Sequence, residues 1–260
     1  MIPLLIPPLT GLQVLVTRPA LQAEGLCQRI VNLGGSAVRL PALTIQAMAI
    51  VPPAASYDLL IFISSNAVQH GQALLLTQPQ ARIAAVGPST AHALQTLGHA
   101  VDVAPEEQAA NSEALLAHPL LQTPPARVLI VRGAGGRELL RDTLSARGSQ
   151  VDVAEVYARV VADPDPGQYQ AVKTGLLSGE IDIISVTSID ILQALDAMLD
   201  AEARTLAHAC VLLTGSARIA AAARQSNWHG EYIIAGSPED AALMSALTRW
   251  HTRARSELLR

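Results

Sequence analysis

Residues 14–40 read VLVTRPALQAEGLCQRIVNLGGSAVRL, and residues 128–154 read VLIVRGAGGRELLRDTLSARGSQVDVA. Each opens on an apolar run, turns through an arginine and small residues, continues with helical periodicity and ends on a second strand-like run. Two further pairs of segments keep the same order. DLLIFISSNAV from Asp58 aligns with DIISVTSIDIL from Asp182, and VGPSTAHAL aligns with LTGSARIAA through Gly87 and Gly215. Short apolar runs alternating with helix-period segments predict parallel sheets with crossover helices, here with helices up to Leu33 and over residues 66–75 and 90–97. Recurrence in one order predicts two similar units. The fold class is α/β.

The totals agree with two small domains. A chain of 260 residues sits where single cores tend to split. Half of the residues are apolar and 15% are charged, which describes a folded protein and not a disordered one. One Phe, four Tyr and two Trp leave no stacking platform for single-stranded nucleic acid. A net charge of -4 without a Lys/Arg block argues against nucleic acid altogether. Cys27 and Cys210 stand outside any CxxC or Cys/His spacing, so both are expected as buried thiols. MIPLLIPPLT has three prolines and no basic start, unlike a signal peptide or a membrane span. The expectation is a cytoplasmic protein, monomeric, with a short floppy leader.

In doubly wound sheets, ligands sit beyond the carboxyl ends of the strands. The polar motifs fall there: Thr17 and Arg18; Ser64, Ser65 and Asn66; Gly87, Ser89 and Thr90; Arg132 with Gly133, Gly135, Gly136 and Arg137; Thr187 and Ser188; and residues 214–216. These loops supply hydroxyls, backbone donors and arginines, with almost no carboxylate. Any single Ser, Thr or Asn there is as readily a helix cap. Their convergence points to an acidic ligand.

Cofactor and metal chemistries find no support. GAGGRE places Glu138 where a dinucleotide fingerprint needs its third glycine, and no GxxxxGK[ST] occurs. Lys173 is the only lysine, on what reads as a helix surface. The seven histidines form no metal spacing, His70, His92, His118 and His208 reading as packed or solvated, and no GxSxG elbow exists.

The order VTRP, ISSNAV, AVGPSTAHALQTLG, VRGAGGRELL, AEVYARV, then a TS dipeptide after a strand, resembles the uroporphyrinogen-III synthase family from about residue 12 to 250. LTGSARIA departs from the family's second VGPST-like motif by lacking the proline. The resemblance implies two flavodoxin-like domains joined by a two-stranded connection. Residues 1–40 with 161–260 would form one domain and 44–155 the other, with connecting strands at 39–46 and 156–161 and a hinged cleft. It implies cyclisation of hydroxymethylbilane to uroporphyrinogen III, with the last pyrrole inverted, water lost, and no cofactor or metal. Tyr157 matches a recurrent tyrosine and is cast as proton donor, with packing in the connection as its alternative. Thr90 matches a recurrent threonine and would bind or orient substrate, while the loop at Gly133–Arg137 would face acetate or propionate groups instead of phosphate. The unstable substrate leaves room for transient contact with hydroxymethylbilane synthase; neither nucleic acid nor membrane is implied. The competing readings are a noncatalytic two-domain sensor of a carboxylated metabolite and a nucleotide-sugar glycosyltransferase. The latter wants a carboxylate in these loops.

Overall fold

A computed structural model describes residues 7–50, 55–105 and 111–258. The chain divides into two units, Met1–Thr44 with Val160–Arg260, and Ile45–Arg159. Strands β1 (Gln13–Val16) and β2 (Ser36–Arg39) flank α1 (Ala20–Asn32), and β3 (Leu43–Ala47) carries the chain onward. The second unit then runs through β4 (Leu59–Phe62), α2 (Ser65–His70), α3 (Gln72–Thr77), β5 (Arg82–Ala85), α4 (Pro88–Thr96), α5 (Ser112–Ala117), α6 (Pro119–Gln122), β6 (Arg127–Gly133) and α7 (Leu139–Ala146). Strand β7 (Gln150–Val161) leads back to α8 (Pro166–Leu177), β8 (Ile183–Val186), α9 (Ile189–Met198), α10 (Ala201–Ala209), β9 (Val211–Thr214), α11 (Ala217–Gln225), β10 (Tyr232–Ile234) and α12 (Asp240–Leu258).

In the first unit the strands stand in the order β10-β9-β8-β1-β2, paired in parallel. Counted along the unit's own chain this is 2-1-3-4-5, the flavodoxin-like order. Central strands such as β8 are buried at every residue, because helices cover both faces. Val14, Val16, Ile183 and Leu213 pack with Leu26 and Ile30 of α1 and Leu243 and Leu247 of α12. Leu15, Ile184, Val186 and Leu212 pack on the other side with Val172, Leu195 and Ile219 of α8, α9 and α11.

The second sheet has the order β3-β7-β6-β4-β5, with β7, β6, β4 and β5 parallel. Matching β1 to β6, β2 to β7, β8 to β4 and β9 to β5 superposes the two strand orders, so the sequence repeat is a repeat of architecture. Even β10 has a counterpart: Val103 bridges Ala84 of β5 in parallel. Only the chain order differs, since the second unit is inserted after the first unit's second strand. Strand β3 runs antiparallel to β7, with Ala162 donating to the Ala42 carbonyl and Met48 to that of Val156. Residues 156–161 are the closing half of one 12-residue strand.

Three local expectations change. The helix expected over 66–75 is broken into α2 and α3 at Gly71, where a Cβ would lie 2.6 Å from the Ala67 carbonyl oxygen and 2.8 Å from Val131. The leader is packed from at least Leu9, which is fully buried and donates to the Leu33 carbonyl; residues 1–6 lie outside the described residues. Cys27 is a buried free thiol, but Cys210 is only partly buried, its Sγ donating to the Ile181 carbonyl. Burial, then the Asp182 charge, pushes the Cys210 thiol up to about 11. Among the described residues, no helix is long and apolar enough to cross a membrane.

Candidate active site

Tyr157 lies just past the middle of β7, level with the end of β6 through its pairing with Gly133, with its ring in the second unit's core, and the residue is 3% exposed. Side chains alternate along a strand, so regular pairing would put Ala154 and Val156 together on the face opposite Tyr157, yet all three pack in one cluster. They share one because the register slips. Arg132 pairs with Glu155, but Gly133 pairs with Tyr157, leaving Val156 as the extra residue. Such an irregularity re-aims a side chain. The Tyr157 hydroxyl thereby comes 3.1 Å from Ser64 Oγ, just past the end of β4. Ser64 Oγ also accepts from the Ala67 N–H, capping α2, so its capping and its contact with the phenol coincide. His70 adds a tilted ring 5.9 Å from that of Tyr157.

The glycine-rich loop after β6 is held from beneath by Arg132. The guanidinium donates to the carbonyls of Gly136 and Arg137 and to the carboxylates of Glu138 and Glu155. Burial works against this charge, but the hydrogen bonds and ion pairs with Glu138 and then Glu155 hold its pKa above the ordinary arginine value. Arg132 in turn holds Glu138 below the usual carboxylate range. Two loop amides are also engaged, Ala134 with the Tyr157 carbonyl and Gly135 with Glu155. Arg137 differs: its side chain is 75% exposed and, among the described residues, pairs with Glu113 alone, at 3.3 Å.

The first unit repeats this arrangement. Thr17 Oγ1 donates to the Ser185 carbonyl, and Arg18 Nε donates to Thr187 Oγ1 at 3.3 Å. The Arg18 guanidinium also grips Asp240 at the start of α12 and the Pro238 carbonyl. Ser188 and Ser216 cap α9 and α11 by accepting from Ile191 and Ile219. Gly215 is required by proximity, since a Cβ would lie 2.7 Å from the Pro238 nitrogen.

These arrangements belong to a chain whose residues 24–245 match the sequence model of a family described as Uroporphyrinogen-III synthase HemD. The chain belongs to the uroporphyrinogen-III synthase family. It is 34% identical to the uroporphyrinogen-III synthases of Escherichia coli and Salmonella typhimurium, over 91% of this chain and 100% of each. Among solved structures, uroporphyrinogen-III synthetase from Helicobacter pylori is similar with a TM-score of 0.60 at 17% identity, covering 92% of this chain and 99% of its own. A mutant uroporphyrinogen III synthase from Thermus thermophilus gives 0.52 at 20% identity, covering 95% and 99%. These two likenesses show the fold.

The synthase residues expected from sequence therefore fall into two groups, one per unit. Tyr157 meets Ser64, with Ser65 and Asn66 following on α2 and Thr90, 2% exposed, on α4. Arg132 meets the loop carrying Gly135, Gly136 and Arg137. Thr17, Arg18, Thr187 and Ser188 gather in the first unit. Ser89 is exposed at the start of α4 and touches none of the others through a side-chain hydrogen bond.

One expectation is corrected: these loops are not short of carboxylate. Glu138, Glu155 and Asp240 are there, each against an arginine. Glu138 and Glu155 sit in plain view beside their motifs, but Asp240 is 222 residues from Arg18 and nothing local announces it. Since all three are engaged by guanidinium groups, they do not revive the glycosyltransferase reading.

Proposed function

We propose that the chain is a hydro-lyase converting hydroxymethylbilane, a linear tetrapyrrole, to uroporphyrinogen III, with the last pyrrole inverted and one water lost. The observation that carries this reading is the Tyr157–Ser64 hydroxyl pair at the ends of β4 and β6, in a chain whose family match spans both units. A tyrosine phenol keeps its proton at neutral pH and is a weak general acid. Donation from Tyr157 to the hydroxyl on the bilane's terminal carbon turns that group into water. The C–O bond breaks as the pyrrole nitrogen's electrons form an azafulvene. Attack on it by the substituted carbon of the last ring gives a spiro intermediate, which fragments and recloses with that ring reversed. The ring proton released at the end restores the phenol, so only water leaves.

Pyrrole electrons supply most of the push, so the chain's larger task is holding the bilane with one carbon in reach and not its neighbour. Arg137, the Gly136 amide, which has no partner among the described residues, and the hydroxyls of Thr90, Thr187 and Ser188 are our candidates for its acetate and propionate groups. We place the protein in the cytoplasm, where free thiols persist, and include in this reading a direct handover of the unstable bilane by the enzyme that releases it. Conversion of freshly generated hydroxymethylbilane, with the type I and type III products resolved, tests the reading.

A further inference from the structure

Two glycines of the loop after β6 are required for different reasons. Gly135 has φ +74° and open space around it, so its backbone demands glycine. Gly133 does not stand in the left-handed region. What excludes a side chain there is Tyr157. A Cβ on Gly133 would lie 2.5 Å from Cζ, 2.6 Å from Cε2 and 2.9 Å from the hydroxyl oxygen of that ring. Atoms in ordinary contact stand about 3.5–4.0 Å apart, so a single methyl would drive the phenol aside by about an ångström. The same two residues are paired across β6 and β7 at the register slip, and the Tyr157 carbonyl accepts from Ala134 at 2.8 Å. The backbone of Tyr157 is therefore anchored, and displacement would fall on the ring and on its 3.1 Å contact with Ser64.

We propose that Gly133 is a positioning residue for the reaction: its missing side chain is the seat that aims the Tyr157 hydroxyl. It touches no substrate and acts through the phenol alone. The proposal rests on the acid role given to Tyr157 above.

A double-mutant cycle on the full chain tests it, with kcat and KM for hydroxymethylbilane consumption measured for Gly133→Ala, Tyr157→Leu and the pair. Leucine lacks the far half of the ring, so it clears the space that a Cβ at position 133 would enter. Gly133→Ala is expected to lower kcat about tenfold with KM within about twofold, since an ångström of misplacement at a reacting group costs up to about a hundredfold. Tyr157→Leu is expected to lower kcat at least as far, and the double variant is expected to be no slower than Tyr157→Leu. Losses that multiply in the double variant would overturn the proposal, as would a parental kcat in Gly133→Ala when Tyr157→Leu is impaired. A parental kcat in Tyr157→Leu would remove the acid role first and the seat with it. If Gly133→Ala does not fold, the double variant must fold and turn over as Tyr157→Leu does; an unfolded double variant also overturns the proposal.

Discussion

Arg18 and Arg132 occupy equivalent places in the two units, and each turns its guanidinium inward, onto carboxylates and carbonyls of its own unit. The alignment that sets Val14 on Val128 also sets Arg18 on Arg132. Their shared task is to tie the strand-end loops together. Replacing Arg18 with methionine keeps the packing volume but strands Asp240 and the Pro238 carbonyl. Arg18→Met is expected to lower the unfolding free energy by about 1–3 kcal/mol, discounted for the partly exposed Asp240. Adding Asp240→Asn should cost less than a second independent loss. Urea denaturation of the two variants checks this, and parental stability in Arg18→Met would refute the clamp.

The arginines show how far the sequence is legible. Strand, turn and helix periodicity place both residues at strand ends, and the three aligned segments reveal two similar units, whose matching strand orders appear only in the folded sheets. Side-chain direction is less accessible. Alternation along β7 sends Tyr157 to the face opposite Val156, and a one-residue slip at Arg132/Gly133, which no propensity marks, reverses that. Gly71 likewise stands where a periodic helix is broken, and the approach of Val131 that leaves no room for a Cβ there is a matter of packing. The partners of Arg18 arrive from the far end of the chain, where only the folded unit joins them.

The positive φ of Gly135 sets a second expectation. With nothing within 4 Å of its Cβ position, substitution is governed by the backbone alone. Gly135→Ala should cost about 1 kcal/mol and Gly135→Asn less, since asparagine tolerates the left-handed region. Equal losses in urea denaturation would refute this assignment.

The pH dependence of stability has a local source. Asp200 is held down to about 2 by the Ala203 N–H and then by Lys173. A carboxyl depressed by folding stabilises above its ordinary value of about 3.9 and loses that contribution as pH falls through the folded value. Asp200→Asn should therefore be less stable than the parent at neutral pH, with the gap narrowing in acid. A gap independent of pH in denaturation curves would contradict the pairing.

Both thiols should be sluggish. Cys27 is shielded by burial, and Cys210 is pushed up to about 11, so little of the Cys210 thiolate is present near neutrality. A chromogenic disulfide reagent at pH of about 8 should react slowly with the folded protein and titrate two thiols after unfolding. A rapid reaction of Cys210 in the folded state would contradict its placement.

If the phenol assists a departure that pyrrole electrons already drive, Tyr157→Phe should cost about tenfold in kcat, below the usual range for general acids. Near-total loss in a folded Tyr157→Phe variant would show that proton donation, and not arrangement of the bilane, dominates the rate.

The reaction itself is tested most directly by supplying freshly generated hydroxymethylbilane to the purified protein, oxidising the products and separating type I from type III uroporphyrin. Type III rising with protein concentration above the protein-free control is the expected result. Type I alone, from a folded protein, would contradict the synthase assignment.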